Sequence, residues 1–400
     1  MSAEPAATVD DLMSGALFER LVEAWQRLGR LAYGDSGPPD DSLMRAHAIK
    51  YMTRYLTAGS VLAVELGDPD YPYFERWADR AWSWGIDNPD GIYQFATVGG
   101  AHTYRITGTR GTARQFDVQV HAPHFCHSPD YEIVANINFE TLDVADDGTV
   151  EIILSPDPHD GNWLQSTPEV GSLCVRQFFY DWENEQPADL HIERVGASYP
   201  PPPERPERTV EQIELLMTWL DQAGTFWDRM AHWCLDNPPN SSPFLAPDLS
   251  EWGGHRGLSY GMGNYRCQPD EAVILEVTPP ECHYWGFQLG TWFWESMDWW
   301  RRQTSLNGHQ AMLDDDGVFR CVIAHHDPGV PNWLDCAGYT WGTLNGRWLI
   351  TAEWPEPTMT VVPFAEVTDH LPDSTARVSP AERSEGLRRR ERAAQRLCGF

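Results

Sequence analysis

The chain has 400 residues, and aromatic residues make up 12% of them, including 19 tryptophans. It carries 59 acidic residues against 29 lysines and arginines, which gives a net charge of -30. Such an acidic surface repels nucleic acids and anionic membranes, so neither is expected as a partner. The aromatic content excludes a disordered chain, and the length predicts two or three domains with a sizeable core.

The N-terminal segment contains acidic residues and no basic stretch of the kind that opens a secretion signal. No apolar run approaches the roughly 18 to 20 residues that span a bilayer. The eight cysteines are scattered, without a C-x-x-C pair. We therefore expect a cytoplasmic protein whose cysteines are reduced thiols, with neither disulfides nor a zinc site.

Residues 1–90 are predicted to form a helical N-terminal region. Apolar residues spaced three and four apart predict a helix over Phe18–Leu28 and another that starts at Ser42 as N-cap and ends at Gly59. The same spacing predicts a third helix over Tyr73–Trp84.

Strand patterns, with apolar and polar residues alternating, follow this region. They predict a first β-sandwich unit over residues 91–198 and a second over residues 259–365. Residues 199–258 between them are predicted to be a proline-rich linker and a helix. Residues 366–400 are predicted to be an arginine-rich helical tail, whose helix starts at Ser379 with a capping box to Glu382.

The two strand-rich regions share an ordered series of motifs. An Asp-Asp-Gly turn, a strand, a loop and an Asn-Trp-Leu motif recur at offsets of 169 and 170 residues, at Asp146 and Asn162 and again at Asp315 and Asn332. The matched features also include Tyr104-Arg105 with Tyr265-Arg266, and strands with central glutamines at Gln119 and Gln288. We therefore predict a mainly β fold with α-helices, in which two β-sandwich or jelly-roll-like units are duplicated.

Aromatic residues are densest over Tyr284–Trp300. They could form a platform for a flat or ring-shaped ligand, with polar side chains supplying hydrogen bonds. Alternatively, they pack two sheets together or form a subunit interface. The predicted ligand-binding residues are Tyr284, Trp285, Gln288, Trp292, Glu295, Asn332, Trp333 and Arg347.

His325, His326 and Asp335 are the candidate catalytic residues, since an aspartate and a histidine can act as an acid–base pair. Such residues more often cap turns or pair with an arginine. The chain has no nucleophile elbow and no phosphate-binding glycine loop, so no reaction is assigned.

Three histidines and a cysteine crowd into a seven-residue segment, at His121, His124, Cys126 and His127. They are enough ligands for a metal ion. However, the second repeat has no equivalent set, and no metal-binding motif accompanies them. We predict no metal and no cofactor.

Several of these motifs together resemble a bacterial family that carries the domain of unknown function 1214, often found beside the related domain 1254. The matching segments are Asn88–Asp90, Tyr93, Tyr104–Gly108, Arg110-Gly111, Gly161–Leu164, Val175–Asp181, Tyr284-Trp285, Gln288 and Pro331–Asp335. The chain departs from the family pattern after Asp335, where Ala337-Gly338-Tyr339 stands instead of a Gly-His. The resemblance implies β-sandwich units, an actinobacterial type of origin and an association with lipid metabolism, but no settled activity.

These observations favour a binding or accessory protein for a hydrophobic or ring-shaped small molecule such as a lipid, steroid or glycan. One alternative is a hydrolase or lyase that uses the Asp/His residues of the second unit. The other is an oligomeric structural protein whose aromatic residues form the interface between subunits.

Overall fold

The structure is a computed structural model, and it describes residues 6–35, 37–246, 257–351 and 353–399. It is mainly β, with a helical N-terminal region and a C-terminal helix, which confirms the predicted fold class. The chain forms two units. The first comprises the described residues up to Trp84 together with Ile92–Gln177 and Pro187–Trp227. The second comprises Gly85–Gly91, Phe178–Gln186 and the described residues from Asp228 onward.

Helices of the first unit mostly precede its sheets. They are α1 (Val9–Ser14), α2 (Ala16–Leu28), α3 (Arg30–Tyr33), α4 (Ser42–Ser60) and, after the sheets, α5 (Pro206–Thr218). The start of α4 was predicted one residue late. Its N-cap is Asp41, whose carboxylate accepts the backbone N–H groups of Leu43 and Met44 at 2.8 and 3.0 Å.

The helix predicted over Tyr73–Trp84 is wrong. This segment contains only the two-residue strand β1, Glu75–Arg76. Trp77 and Trp84 lie edge to face with their ring centroids 5.6 Å apart, and the indole N–H of Trp84 donates to the backbone carbonyl of Trp77 at 2.8 Å. Tertiary packing of the two indoles therefore overrides the helical spacing.

The first unit contains a five-stranded sheet in the order β1-β2-β8-β4-β5 and a four-stranded sheet in the order β7-β6-β3-β9. The strands after β1 are β2 (Gly91–Thr97), β3 (Tyr104–Thr109), β4 (Gln115–Ala122), β5 (Glu132–Asn138), β6 (Thr149–Ser155), β7 (Asn162–Gln165), β8 (Ser172–Phe178) and β9 (Asp189–Arg194).

The second unit contains a five-stranded sheet in the order β10-β11-β17-β13-β14 and a four-stranded sheet in the order β16-β15-β12-β18. Helix α6 (Gly224–Leu235) precedes these strands and α7 (Pro380–Leu397) follows them. The strands are β10 (Phe244–Ala246), β11 (Leu258–Arg266), β12 (Glu271–Val277), β13 (Tyr284–Gly290), β14 (Ser305–Asn307), β15 (Phe319–Ala324), β16 (Trp333–Asp335), β17 (Trp341–Leu349) and β18 (Thr358–Pro363).

The two strand orders correspond element for element, with β1 to β9 matching β10 to β18. Even the parallel pairs recur, β6 with β7 and β15 with β16. The central glutamines match as predicted, because Gln119 and Gln288 lie on the equivalent strands β4 and β13. The match of Tyr104 to Tyr265 is wrong, since Tyr104 opens β3 of a four-stranded sheet and Tyr265 lies in β11 of a five-stranded one.

One face of β4 and one face of β13 pack into the cores of their units. Phe116, Val118 and Val120 belong to the first core. Trp285, Phe287 and Leu289 belong to the second. Because successive side chains of a strand point to opposite faces, the residues between them lie on the other side of each five-stranded sheet.

None of the helices in the described ranges combines the length and the apolar character that crossing a bilayer requires.

Candidate functional site

The asparagine of the repeated Asn-Trp-Leu motif makes the same hydrogen bonds in both units. The side-chain oxygen of Asn162 accepts the N–H of Asp143 at 2.8 Å, while its amide donates to the carbonyls of Asp143 and Glu151 at 2.8 and 3.0 Å. Asn332 does the same with the N–H of Met312 at 2.9 Å and the carbonyls of Met312 and Arg320 at 2.5 and 2.9 Å. Each asparagine thus fastens its loop to a neighbouring strand.

The tryptophan of the motif is also used alike in the two units. The indole N–H of Trp163 donates to the carbonyl of Ser155 at 3.3 Å, and that of Trp333 donates to the carbonyl of Ala324 at 3.0 Å. These contacts give the repeated motif a role in stabilising the fold, including at Asn332 and Trp333, which were predicted to bind a ligand.

We expect Asn162→Ala and Asn332→Ala each to lower the free energy of unfolding by about 1–3 kcal/mol, because backbone groups lose their partners. Urea denaturation followed by circular dichroism measures this. Equal stability of both variants and the wild type would contradict the role assigned to the motif.

The candidate catalytic residues have separate partners. Asp335 accepts from Arg302 Nη1 at 2.7 Å and from the N–H of Ala337 at 2.8 Å. An imidazole nitrogen of His325, Nε2, lies 2.9 Å from the carbonyl oxygen of Cys267. His326 packs edge to face on a phenylalanine ring. Among the described residues, no hydrogen bond joins Asp335 to either histidine.

The predicted ligand-binding residues of the aromatic segment are all buried. They do not form one group. Tyr284 and Gln288 lie on the polar face of β13, whereas Trp285 lies in the core on the opposite face. Trp292 packs edge to face on Trp341 with the ring centroids 4.5 Å apart. Glu295 is fully buried as well.

Gln288 is fully hydrogen-bonded within the second unit. Its side-chain amide donates to the carbonyl of Asp87 at 3.0 Å and to Ser296 Oγ at 2.6 Å. Its carbonyl oxygen accepts from Arg347 Nη1 at 2.5 Å, and Nη2 of the same arginine donates to the carbonyl of Ile86 at 2.6 Å. Gln288 and Arg347 thus lie together, but they hydrogen-bond to each other and to other protein groups.

Asp90 is the centre of a second buried network in the same unit. One carboxylate oxygen accepts from Trp182 Nε1 and Asn307 Nδ2, both at 2.7 Å. The other accepts from the Tyr284 hydroxyl at 2.7 Å. Desolvation raises the pKa of Asp90, and hydrogen bonds from Tyr284, Asn307 and Trp182 oppose that rise. Every oxygen of this carboxylate therefore has a protein donor.

The first unit presents a similar polar row on β4. Gln115, Asp117, Gln119 and His121 alternate with the core residues of the strand, and all four are buried. Asn136 on the adjacent strand β5 donates to Asp117 Oδ1. We call Gln119, His121 and the aromatic side chains packed around His121 the β4 polar face.

Among the residues that the structure describes, three buried atoms of the Gln119 and His121 side chains have no hydrogen-bond partner. Gln119 has an exposed fraction of 0%, and neither its Nε2 nor its Oε1 has a partner. His121 Nδ1 lies 3.3 Å from Ser172 Oγ, but His121 Nε2 has none. Either tautomer leaves Nε2 unpaired, as a donor in one and an acceptor in the other. Each such atom costs about 1–3 kcal/mol when it stays unpaired.

Aromatic side chains surround the His121 ring. The Trp77 indole lies parallel to the His121 ring, with an interplanar angle of 4° and centroids 6.4 Å apart. Tyr131 and Phe125 lie 5.0 and 5.6 Å from the same ring. The guanidinium of Arg176 lies over the Trp77 ring at 5.2 Å. The arrangement combines ring-stacking surface with hydrogen-bonding groups shielded from water.

Burial also keeps the histidines of this region neutral. Desolvation lowers the pKa of His121 well below its ordinary value, and the nearby Arg176 lowers it further. Desolvation lowers the pKa of His124 to about 3. His124 Nε2 lies 3.1 Å from Thr97 Oγ1, while its Nδ1 accepts the N–H of Cys126 at 3.2 Å. The histidine-rich segment is therefore engaged in separate contacts.

The sequence pattern identifies Gln119 only as the counterpart of Gln288 in the repeated strands. The pattern in the sequence that marks the β4 polar face is the alternation of Gln115, Asp117, Gln119 and His121 with apolar residues. A polar row of that kind is normally taken to face solvent, and only the structure shows that it is buried.

A solved structure of an uncharacterized protein from Burkholderia cenocepacia is similar to this chain, with 30% sequence identity and a TM-score of 0.85. The match covers 90% of this chain and 99% of that chain. The VPA0106 protein from Vibrio parahaemolyticus is 11% identical with a TM-score of 0.45, over 78% of this chain and 98% of that chain. No protein-family model and no curated protein matches the chain.

Proposed function

This chain belongs to the same family as the Burkholderia cenocepacia protein, and we propose that it binds an uncharged, ring-containing small molecule on the β4 polar face. The observation that carries the proposal is the Gln119 side chain, fully buried with both polar atoms unpaired. Buried amides in folded proteins nearly always have partners, so an unpaired one supports a bound molecule at this place.

The duplicated fold supplies an internal comparison. Gln288 occupies the equivalent strand and has three protein partners, from Asp87, Ser296 and Arg347. Gln119 has no such partners. The same residue is thus used to hold the second unit together, while in the first unit its hydrogen-bonding capacity is left for another molecule.

The surrounding groups define the class of ligand. Gln119 offers one donor and one acceptor group, and His121 Nε2 offers either. His121 is neutral, and the formal charges of Asp117 and Arg176 cancel, which favours an uncharged ligand. The aromatic surroundings of His121, which include Trp77, Phe125 and Tyr131, favour a ring. A hydroxyl- or carboxamide-bearing ring molecule meets these requirements, and phenols, sterols and sugars are members of that class.

Binding is favoured over hydrolysis as the proposed function. Asp335 is held by Arg302, while His325 contacts the backbone of Cys267, so they do not form an acid–base pair.

The test is a thermal-shift screen of the full chain against uncharged phenols, aromatic amides, sterols and monosaccharides, followed by calorimetric titration of the hits. A ligand at 100 times its Kd stabilises the folded state by about 2.7 kcal/mol. We expect Gln119→Leu and His121→Phe to abolish the shift. Gln165→Leu, at an exposed position of β7 in the same unit, is the matched control and should retain it. A hit that binds both site variants as tightly as the wild type would overturn the proposal.

A further inference from the structure

A cluster of metal-ligating side chains lies in the second unit, where three strands end. Cys267 directly follows β11, His325 follows β15 and Cys336 follows β16. Their ligand atoms, one sulfur from each cysteine and one imidazole nitrogen, all lie within 4.8 Å of one another. Both cysteines are fully buried. The site is separate from the β4 polar face and independent of the function proposed for it.

The spacing is close to that of a zinc site. Zinc binds sulfur at about 2.3 Å and imidazole nitrogen at about 2.0–2.1 Å, so its ligand atoms lie roughly 3.4–3.8 Å apart. Rotations of the three side chains that move their atoms by about 1 Å or less reach this spacing. Backbone hydrogen bonds hold the segments in place, from the N–H of Cys267 to the carbonyl of Thr340 at 3.0 Å and from the N–H of Cys336 to that of Ala324 at 3.2 Å.

The Tyr265 hydroxyl is an independent sign of a missing partner at this place. Tyr265 has an exposed fraction of 0%, and its hydroxyl has no hydrogen-bond partner within the described part of the chain. It interacts electrostatically with the thiols of Cys336 and Cys267. The buried hydroxyl therefore adds a polar group that interacts with both cysteine ligands.

The hydrogen bond of His325 and the charges of the three ligands also suit a zinc ion. When His325 Nε2 carries the hydrogen, it donates to the carbonyl of Cys267 at 2.9 Å, which leaves Nδ1 as an acceptor. Two thiolates and a neutral imidazole balance the charge of a divalent cation.

We propose that Cys267, His325 and Cys336 bind one zinc ion. A Cys₂His set suits zinc, because thiolate and imidazole ligands favour this ion over magnesium or calcium. Binding replaces two thiol protons, so each zinc ion taken up releases two protons to solvent.

The test uses the full chain, reduced and stripped of metal with a chelator. Cobalt(II) is added as a spectroscopic substitute for zinc. We expect one cobalt per chain, thiolate-to-cobalt charge-transfer absorption in the near ultraviolet, and displacement of cobalt by zinc. Cys267→Ser, Cys336→Ser and His325→Ala should lose the charge-transfer bands or weaken them strongly. Cys321→Ser, at a buried cysteine of β15, and His326→Ala, at the neighbouring histidine, are the matched controls and should keep them.

A second measurement needs no variants and so does not depend on their folding. Zinc added to the weakly buffered wild-type chain should release two protons per ion. Charge-transfer bands that persist in both serine variants would overturn the proposal, as would wild-type chain with free thiols that takes up less than a tenth of an equivalent of zinc. A Cys267–Cys336 disulfide that persists through reduction and prevents uptake would overturn it as well.

Discussion

Replacing Gln288 with leucine is expected to lower the free energy of unfolding by about 2–4 kcal/mol. The reason is that Arg347, with an exposed fraction of 4%, loses the carbonyl oxygen that accepts from it at 2.5 Å. A buried guanidinium keeps its charge and cannot recover the lost hydrogen bond from water. Ser296 Oγ and the carbonyl of Asp87 lose the amide of Gln288 at the same time.

The same substitution at Gln119 provides the contrast. Leucine there removes two buried polar atoms that have no partners, so the ligand-free chain should keep its stability or gain about 1–3 kcal/mol. Urea denaturation of the two variants side by side, monitored by circular dichroism, compares equal chemical changes on equivalent strands. If Gln119→Leu destabilised the chain as much as Gln288→Leu does, the amide of Gln119 would have protein partners, and the proposed ligand site would lose its main support.

Asp90→Leu is expected to be the most damaging change in the second unit, at about 3–5 kcal/mol. It takes the acceptor from the buried indole N–H of Trp182 and removes the shortest hydrogen bonds of Tyr284 and Asn307. Asp90→Asn should cost much less, because the asparagine oxygen can still accept from Trp182 and Asn307. Its amide can donate to the Tyr284 hydroxyl. Thermal unfolding of the two variants at neutral pH checks this order, and equal losses would contradict it.

Because the pKa of Asp90 is raised in the folded chain, its contribution to stability should fall as the pH rises. Burial raises the pKa of Asp90 above its ordinary value of 3.8, so the folded chain binds this proton more tightly than the unfolded chain. The resulting stabilisation is fully present below pH 3.8 and is lost as the pH rises through the folded pKa. The stability of the wild type relative to Asp90→Asn should therefore fall with increasing pH in this range.

Asp147→Asn is the matched control for that experiment. Hydrogen bonds from Thr149 lower the pKa of the exposed Asp147. Its contribution has the opposite sign, since it is lost as the pH falls through the lowered pKa. Wild-type stability relative to Asp147→Asn should therefore rise with increasing pH. A relative stability that rose in both comparisons would show that the pKa of Asp90 is not raised.

Local patterns and internal repetition were readable in the sequence alone. The spacing of Ser379 and Glu382 predicted the start of α7, and in the structure Ser379 Oγ accepts the N–H of Glu382 at 3.3 Å while the glutamate accepts that of Ser379 at 2.8 Å. The repeated turn and Asn-Trp-Leu motif predicted the duplicated sandwich, which the matching strand orders confirm. These features depend on residues close together in the chain or on direct comparison of two segments.

Only the tertiary structure showed which side chains of the two candidate sites have partners and which lie close together. Gln119 and Gln288 are the same residue type on equivalent strands. Among the described residues, Gln119 has no hydrogen-bond partner. Gln288 has three, Arg347 and Ser296, which lie 59 and 8 positions along the chain, and the backbone of Asp87. Cys267, His325 and Cys336 follow three separate strands and form no spacing motif, so the pattern of cysteines in the sequence predicted no zinc site. Side-chain alternation determines which face of a strand a residue occupies. What covers that face, and whether its polar groups find partners there, depends on segments that only the folded chain brings together.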